Sequence, residues 1–198
     1  MKKVLFVFAI ACLPLLSASA QGIGIGLKGG LNFANQDIAT VPEDISARTG
    51  FHIGAYTHIN IIGGFGIQPE VLYSSQGSEW VDDAGAGFDI KNKFDYLNIP
   101  ILLRFNIAMF NLHFGPQFGI LTNAESDVNG VTTDIKDQFE SGDFSIAAGV
   151  GVDLPFKLNA TVRYVAGVSD ISSDPDTIGE VKNATLQISL GYRLIGSK

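Results

Sequence analysis

Cysteine, tryptophan, histidine and charge are all scarce in this chain, and each shortage closes a line of interpretation. The one cysteine, Cys12, lies in the first apolar stretch, so the rest of the chain has no disulfide and no thiol nucleophile. Charged residues make up 17 % of the chain, against roughly 25 % in ordinary soluble domains. The net charge of −7 argues against nucleic acid or an anionic surface as a partner. Beyond the N-terminus no run approaches the roughly 20 apolar residues of a membrane-spanning helix. What the chain has in quantity is glycine (23) and phenylalanine (14), and their placement is regular.

The N-terminus has a processing layout. Lys2 and Lys3 precede an apolar run from Val4 to Leu16, and Ala18-Ser19-Ala20 supplies small residues at a cleavage position. This predicts a signal peptide over residues 1–20 and a mature domain over 21–198. The run is too short for a spanning helix and contains Pro14. Acylation at Cys12 would need a better match than Ala9-Ile10-Ala11, and it would leave Leu13 to Leu16 in the mature chain.

From there the dominant signal is period two. Between Tyr96 and Asn106, one alternate set is Leu97, Ile99, Ile101, Leu103 and Phe105, and the other holds Asn98, Pro100 and Arg104. Successive strand side chains point to opposite faces, so such a strand has one greasy face and one mixed face. The pattern predicts eight strands, at 22–34, 49–60, 64–74, 93–106, 110–121, 143–153, 157–169 and 183–194. The connections at 61–63, 107–109 and 154–156 are short. Those at 35–48, 75–92, 122–142 and 170–182 are long and polar. Short turns at one rim and long loops at the other are the layout of a bacterial outer-membrane barrel, the short set being periplasmic.

A soluble ligand-carrying barrel also alternates, with its apolar face inward. Two features decide the direction. Apolar stripes such as Leu112, Phe114, Phe118, Ile120 and Leu186, Ile188, Leu190, Tyr192, Leu194 are nearly unbroken. The opposite stripes carry most strand glycines, including Gly26, Gly30, Gly54, Gly115, Gly149 and Gly191, and are not dense in Lys or Glu. A narrow barrel has little internal room, so the small residues belong inside and the bulky ones face lipid. The expected fold class is all-β: an eight-stranded antiparallel transmembrane up-and-down β-barrel behind a signal peptide. Phe51, Tyr73, Phe105, Phe110, Phe144, Phe156, Tyr164 and Tyr192 fall near strand ends, where aromatic girdles sit.

Several segments carry a likeness. They are Gly26-Leu27-Lys28-Gly29-Gly30-Leu31-Asn32, Gln68-Pro69-Glu70-Val71-Leu72-Tyr73-Ser74 and Tyr96-Leu97-Asn98-Ile99-Pro100-Ile101-Leu102-Leu103-Arg104. Gly115-Pro116-Gln117-Phe118-Gly119, Arg163-Tyr164-Val165-Ala166-Gly167-Val168 and Leu190-Gly191-Tyr192-Arg193 follow in order. Together they resemble the PorT-like outer-membrane β-barrel family of Gram-negative bacteria, across essentially the whole mature chain. Asn98 stands where that family often has Glu before Ile-Pro, and the chain ends in Gly196-Ser197-Lys198 rather than an aromatic residue. The resemblance implies fold and an outer-membrane location, and no single activity.

The alternation assigns Lys28, Asn32, His52, Tyr56, His58, Gln68, Glu70, Asn98, Arg104, His113, Gln117, Asp153, Arg163, Gln187 and Arg193 to the lumen. His52 and His58 are roughly 20 Å apart along one strand, which excludes a shared metal ion. A buried charge is stable only when paired, so Lys28, Glu70, Arg104, Arg163 and Arg193 are expected to form a lumen network, with Glu70 facing Arg104 or Arg163. Such a network plugs the barrel. Ser75, Ser78, Ser126, Ser141, Ser172 and Ser173 have no histidine in their loops, so catalysis and cofactors are not expected. Gly22-Ile23-Gly24-Ile25-Gly26 precedes no helix and is not a phosphate loop.

The long connections are acidic, with Asp82-Asp83 and Asp174-Pro175-Asp176 as paired carboxylates that suit turns or a weak divalent site. Trp80, the sole tryptophan, and Asp82 and Asp83 are candidate contacts for a protein partner. The other expected partners are outer-membrane lipid and lipopolysaccharide. The expected role is a structural, surface-interaction or secretion-accessory scaffold, with a small-ligand binding or transport barrel as the rival.

Overall fold

The computed structural model of the chain describes residues 22–38, 46–81, 89–173 and 180–196. Its strands are β1 (Ile23–Ile38), β2 (Ser46–Ile62), β3 (Phe65–Val81), β4 (Asp89–Ile107), β5 (Phe110–Val128), β6 (Val131–Asp134), β7 (Gly142–Asp153), β8 (Leu158–Gly167) and β9 (Val181–Ile195). Each long strand pairs antiparallel with its neighbour, and β1 pairs with β9 to close the ring, with Leu27 opposite Tyr192 and Asn32 opposite Gln187. Strand β6 stands outside the ring as a hairpin on the end of β5, so the barrel has eight staves.

Local sequence sets the turns. Gly63 and Gly64 both take positive φ between β2 and β3, the conformation a two-residue hairpin turn needs to match strand twist. Asn129 and Gly130 do the same between β5 and β6, where the Gly130 amide donates to Asp127 Oδ1 at 2.8 Å. Burial then follows the alternation. Leu27, Leu31, Ile53, Leu112, Phe114, Ile188 and Leu190 are exposed, whereas Lys28, Asn32, His52, Glu70, Arg104 and Arg163 are buried. An apolar exterior round a polar interior reverses a water-soluble fold and is stable only in lipid. Ring pairs lie at both ends of this surface: Phe51 with Tyr73 (5.9 Å) and Phe118 with Phe144 (5.2 Å) toward the long connections, and Phe65 with Phe105 (4.4 Å) at the short turns.

The inner wall is fitted pairwise. Gly26 lies opposite Tyr56, Gly30 opposite His52, Gly54 opposite Lys28, Gly66 opposite Arg104 and Gly149 opposite His113. A methyl group added at Gly149 would lie 2.6 Å from His113 Nε2. The bulky lumen groups therefore fit because their cross-strand partners have no side chain.

The strands run further than the apolar alternation predicts. Strand β3 continues past Ser74 to Val81, β4 begins at Asp89 rather than Lys93, and β5 continues past Leu121 to Val128. Above the bilayer the ladder needs only backbone pairing, so polar residues occupy both faces and the pattern vanishes. Ser75 to Glu79 pair with Asp95 to Lys91 in register, and Lys93 bridges Asp95 at 2.9 Å. Three sequence expectations change as a result. Trp80 lies on β3, paired with Ile90, rather than in a loop. Ser75 and Ser78 are buried strand residues. Glu125, Asp127 and Asp134 sit on the β5–β6 hairpin. Residues 1–20, Asp82, Asp83 and Asp174 to Asp176 lie outside the described residues.

Candidate functional site

The lumen is where the fold gathers its reactive side chains. At its centre Glu70, projecting from β3, accepts two parallel hydrogen bonds from Arg163 of β8, at 2.9 and 2.8 Å. Lys28 Nζ of β1 reaches the same carboxylate at 2.9 Å, and Gln68 Nε2 reaches it at 2.6 Å. All three charged groups are essentially sealed from solvent. Arg163 also donates from Nε to His113 Nε2 at 3.3 Å. Two cations on one carboxylate, one of them bidentate, hold three distant strands across the bore.

Toward the short turns lies a second cluster. Arg104 Nη2 contacts both oxygens of Asp153, at 2.9 and 2.8 Å, and its Nη1 donates to Gln68 Oε1 at 2.7 Å. Asn159 Nδ2 donates to Asp153 Oδ1 at 2.9 Å, while Arg193 stands 3.9 Å from the same oxygen. Arg104 thus pairs with Asp153 and not with Glu70. The two clusters are joined through Gln68, which bonds Glu70 with its amide and Arg104 with its carbonyl.

Toward the long connections the filling changes to amides. Asn32 donates to Ser74 Oγ, Ser75 O and Phe51 O, and its Oδ1 faces His52 Nδ1 at 2.8 Å. His52 Nε2 in turn lies 2.8 Å from Ser189 Oγ. Ser189, His52 and Asn32 therefore stand in the order of a nucleophile, base and orienting amide. Their exposures are 4 %, 1 % and 0 %, so no acyl carbonyl can reach Ser189 Oγ in this arrangement.

At the mouth, Phe94, Tyr96, Leu121 and Ala124 form an apolar cluster, with Ile135 and Phe139 packed on it. The Phe94 and Phe139 rings meet edge to face at 4.7 Å. The segment after β6 is tied to the one after β8: Glu140 N donates to Ile171 O at 2.8 Å, and Phe139 bridges Ser172. Ile171 is fully buried. The sequence reading missed this cap and the role of Asp153 as partner of Arg104. Ile135, Phe139 and Ile171, lone large apolar residues in polar connections, were the available signal.

Among the described residues, no three His, Cys, Asp or Glu side chains converge as metal ligands would. The residue types in the bore can hold charge in place, and Glu70 and His52 are each held by buried partners.

The outer membrane protein beta-barrel domain family matches residues 18–173. The chain belongs to that family. The matched stretch ends before β9, the strand that closes the ring on β1. Among solved structures, the chain is similar to Ail, the attachment invasion locus protein of Yersinia pestis, at 16 % identity and a TM-score of 0.52. That match covers 88 % of this chain and 100 % of Ail, which was solved in complex with the heparin analogue sucrose octasulfate. Neisserial surface protein A matches at 13 % identity and a TM-score of 0.52, covering 88 % of this chain and 100 % of that one. At these identities the likeness is one of fold. No curated protein matches the chain. This member of the outer-membrane barrel family is an integral outer-membrane protein, and the ion clusters around Glu70 and Asp153 lie inside its bore.

Proposed function

We propose that this barrel is a closed, non-catalytic scaffold that carries strand extensions and acidic loops to the cell surface for contact with a partner. The observation that carries the reading is Glu70, gripped by Arg163 and Lys28 in mid-bore. A hydrogen-bonded ion cluster across a narrow barrel leaves no continuous water column. The strand motifs around Lys28, Glu70 and Arg104 support a PorT-like branch of the family, and with it a secretion-accessory or surface-interaction role. The exterior would engage lipid and lipopolysaccharide. Trp80, at the end of β3, and Asp82 and Asp83 beyond it are the proposed contacts, on a mature chain starting near Gln21. The acidic loops repel a polyanion such as the sulfated sugar seen with Ail, and favour a basic or cation-bridged protein partner.

Planar-bilayer recording tests the plug. The purified barrel should insert without stepwise conductance; stable ohmic steps would replace the scaffold with the transport reading. One arrangement favours a hydrolase, the Ser189–His52 contact. A fluorophosphonate probe should leave Ser189 unlabelled, and labelling abolished by Ser189→Ala would overturn the non-catalytic assignment.

A further inference from the structure

The short-turn end of the bore opens into a cavity. A vestibule of about 270 Å³ lies there, lined by His58, Asn60, Asn106, Asp153 and Arg193, with the β2–β3 turn as its rim. Its charge is unbalanced. Asp153 is already held by both contacts from Arg104 and by Asn159, whereas Arg193 reaches it only at 3.9 Å. Two guanidinium groups therefore face one carboxylate, whose oxygens are occupied by other donors. A second, independent feature points the same way. His58 is 7 % exposed, it lines the vestibule, and its Nε2 has no hydrogen-bond partner. A buried polar atom without a partner costs free energy unless something arrives to satisfy it.

The geometry points to a binding site for a small oxyanion, a carboxylate or phosphate group entering from the periplasmic side and held between Arg193 and His58. The planar fork of Arg193 suits two oxygens of one anion. The His58 ring supplies a donor from Nε2 when its proton sits there. Asn60 and Asn106 also line the space, the Asn106 carboxamide being engaged by Arg104 Nε and the Gly64 carbonyl. At about 270 Å³ the space suits a group of a few heavy atoms and is below the usual range for larger ligands. The anion could be free in solution or be the phosphate of an inner-leaflet lipid, because the rim residues Ile62 and Phe65 are exposed and apolar. The site lies below the Glu70 plug and does not depend on whether the bore conducts.

The test follows the His58 imidazole nitrogen resonances of the full barrel in maltoside micelles, which carry no anion, with His58→Phe used to assign them. Titration with inorganic phosphate should give a saturable shift of His58 and leave His52 and His113 in place. Arg193→Gln should weaken it by about tenfold or more, as expected for loss of a charge-assisted bidentate contact. Arg193→Lys, which keeps the charge and loses the fork, should fall between the two. A shift that appears without phosphate when the barrel is moved into phosphatidylglycerol nanodiscs, and is lost in Arg193→Gln, assigns the site to a lipid phosphate. No saturable shift in either medium, or equal affinity in Arg193→Gln shown to be folded by its heat-modifiable gel migration, overturns the proposal.

Discussion

The two ends of the bore are filled by opposite chemistry. The lower half holds Lys28, Glu70, Arg104, Asp153 and Arg163 in direct ion pairs. The mouth holds Phe94, Tyr96, Leu121 and Ala124 beneath Ile135 and Phe139. The difference has an energetic meaning. Each buried charge loses hydration worth several kcal/mol, and recovers it only if every partner is in place. An apolar cap gains about 25 cal/mol for each Å² it hides, and loses that gain in proportion when trimmed. The lower bore should therefore respond to mutation all at once and the mouth by degrees. Removing a single partner and removing the whole set should also have different consequences in the lower bore, and similar ones at the mouth.

The largest effect is expected from Glu70→Leu. It leaves Arg163 and Lys28 buried with no anion, a loss of about 3–5 kcal/mol on the scale of other broken buried pairs. The measurement is urea unfolding in detergent, read as the heat-modifiable gel band. The companion variant sharpens the contrast: Lys28→Met, Glu70→Leu and Arg163→Met together should recover most of the stability, since an apolar set of similar volume needs no partners. A triple variant no more stable than Glu70→Leu would show that packing round Glu70, and not charge pairing, holds the lower bore.

Phe94→Ala comes next. It deletes the ring that Phe139 packs against at 4.7 Å, and should cost about 3 kcal/mol, toward the low end for buried aromatic truncation. The loss should be local, since the cap is joined to the barrel only at its mouth. Limited proteolysis should cut within residues 135–141 faster than in the wild type, while the heat-modifiable band is retained. Loss of that band would mean that the cap and the charged bore unfold as one unit.

These two regions also differ in how plainly the sequence announces them. The membrane-embedded part was legible because lipid outside and a narrow bore inside impose a strict period of two; Leu112, Phe114, Phe118 and Ile120 are exposed, while Asn111, His113 and Gln117 between them are buried. Above the bilayer that constraint lapses. Strand β3 runs on through Ser75, Gln76 and Ser78 with polar groups on both faces, so hydropathy carries no trace of it. Hairpin β5–β6 falls in 122–142, which the alternation gives as one long connection; the Asn129-Gly130 turn residues were a local signal that reading did not use. Within the bore, the set of inward residues follows from alternation, but partner choice does not. Arg104 faces Asp153 rather than Glu70 because strand tilt and register bring β7 within reach, and register round a closed sheet is not written in any one strand. His52 and Ser189 meet for the same reason, across 137 residues of sequence.

The smallest expected effect lies outside the bilayer and tests whether the mouth is fastened as well as packed. Asp170 Oδ1 accepts the backbone amides of Ser172 and Val181, each at 2.9 Å, and so ties the start of β9 to the segment carrying Ile171. Those two amides hold the Asp170 carboxyl below its ordinary value. A carboxyl whose folded value is depressed contributes stability that is complete above its unfolded value and fades as pH falls toward the folded one. The tie should be intact at neutral pH and weaken below the usual aspartate range. Amide hydrogen exchange at Ser172 and Val181 reads it directly. Both should exchange faster, relative to their intrinsic rates, in acid than at neutral pH, and Asp170→Asn should blunt that dependence while keeping an acceptor in place. Protection unchanged by pH in the wild type would mean that the burial of Ile171 alone holds the segment, and that the mouth is closed by carbon without help from charge.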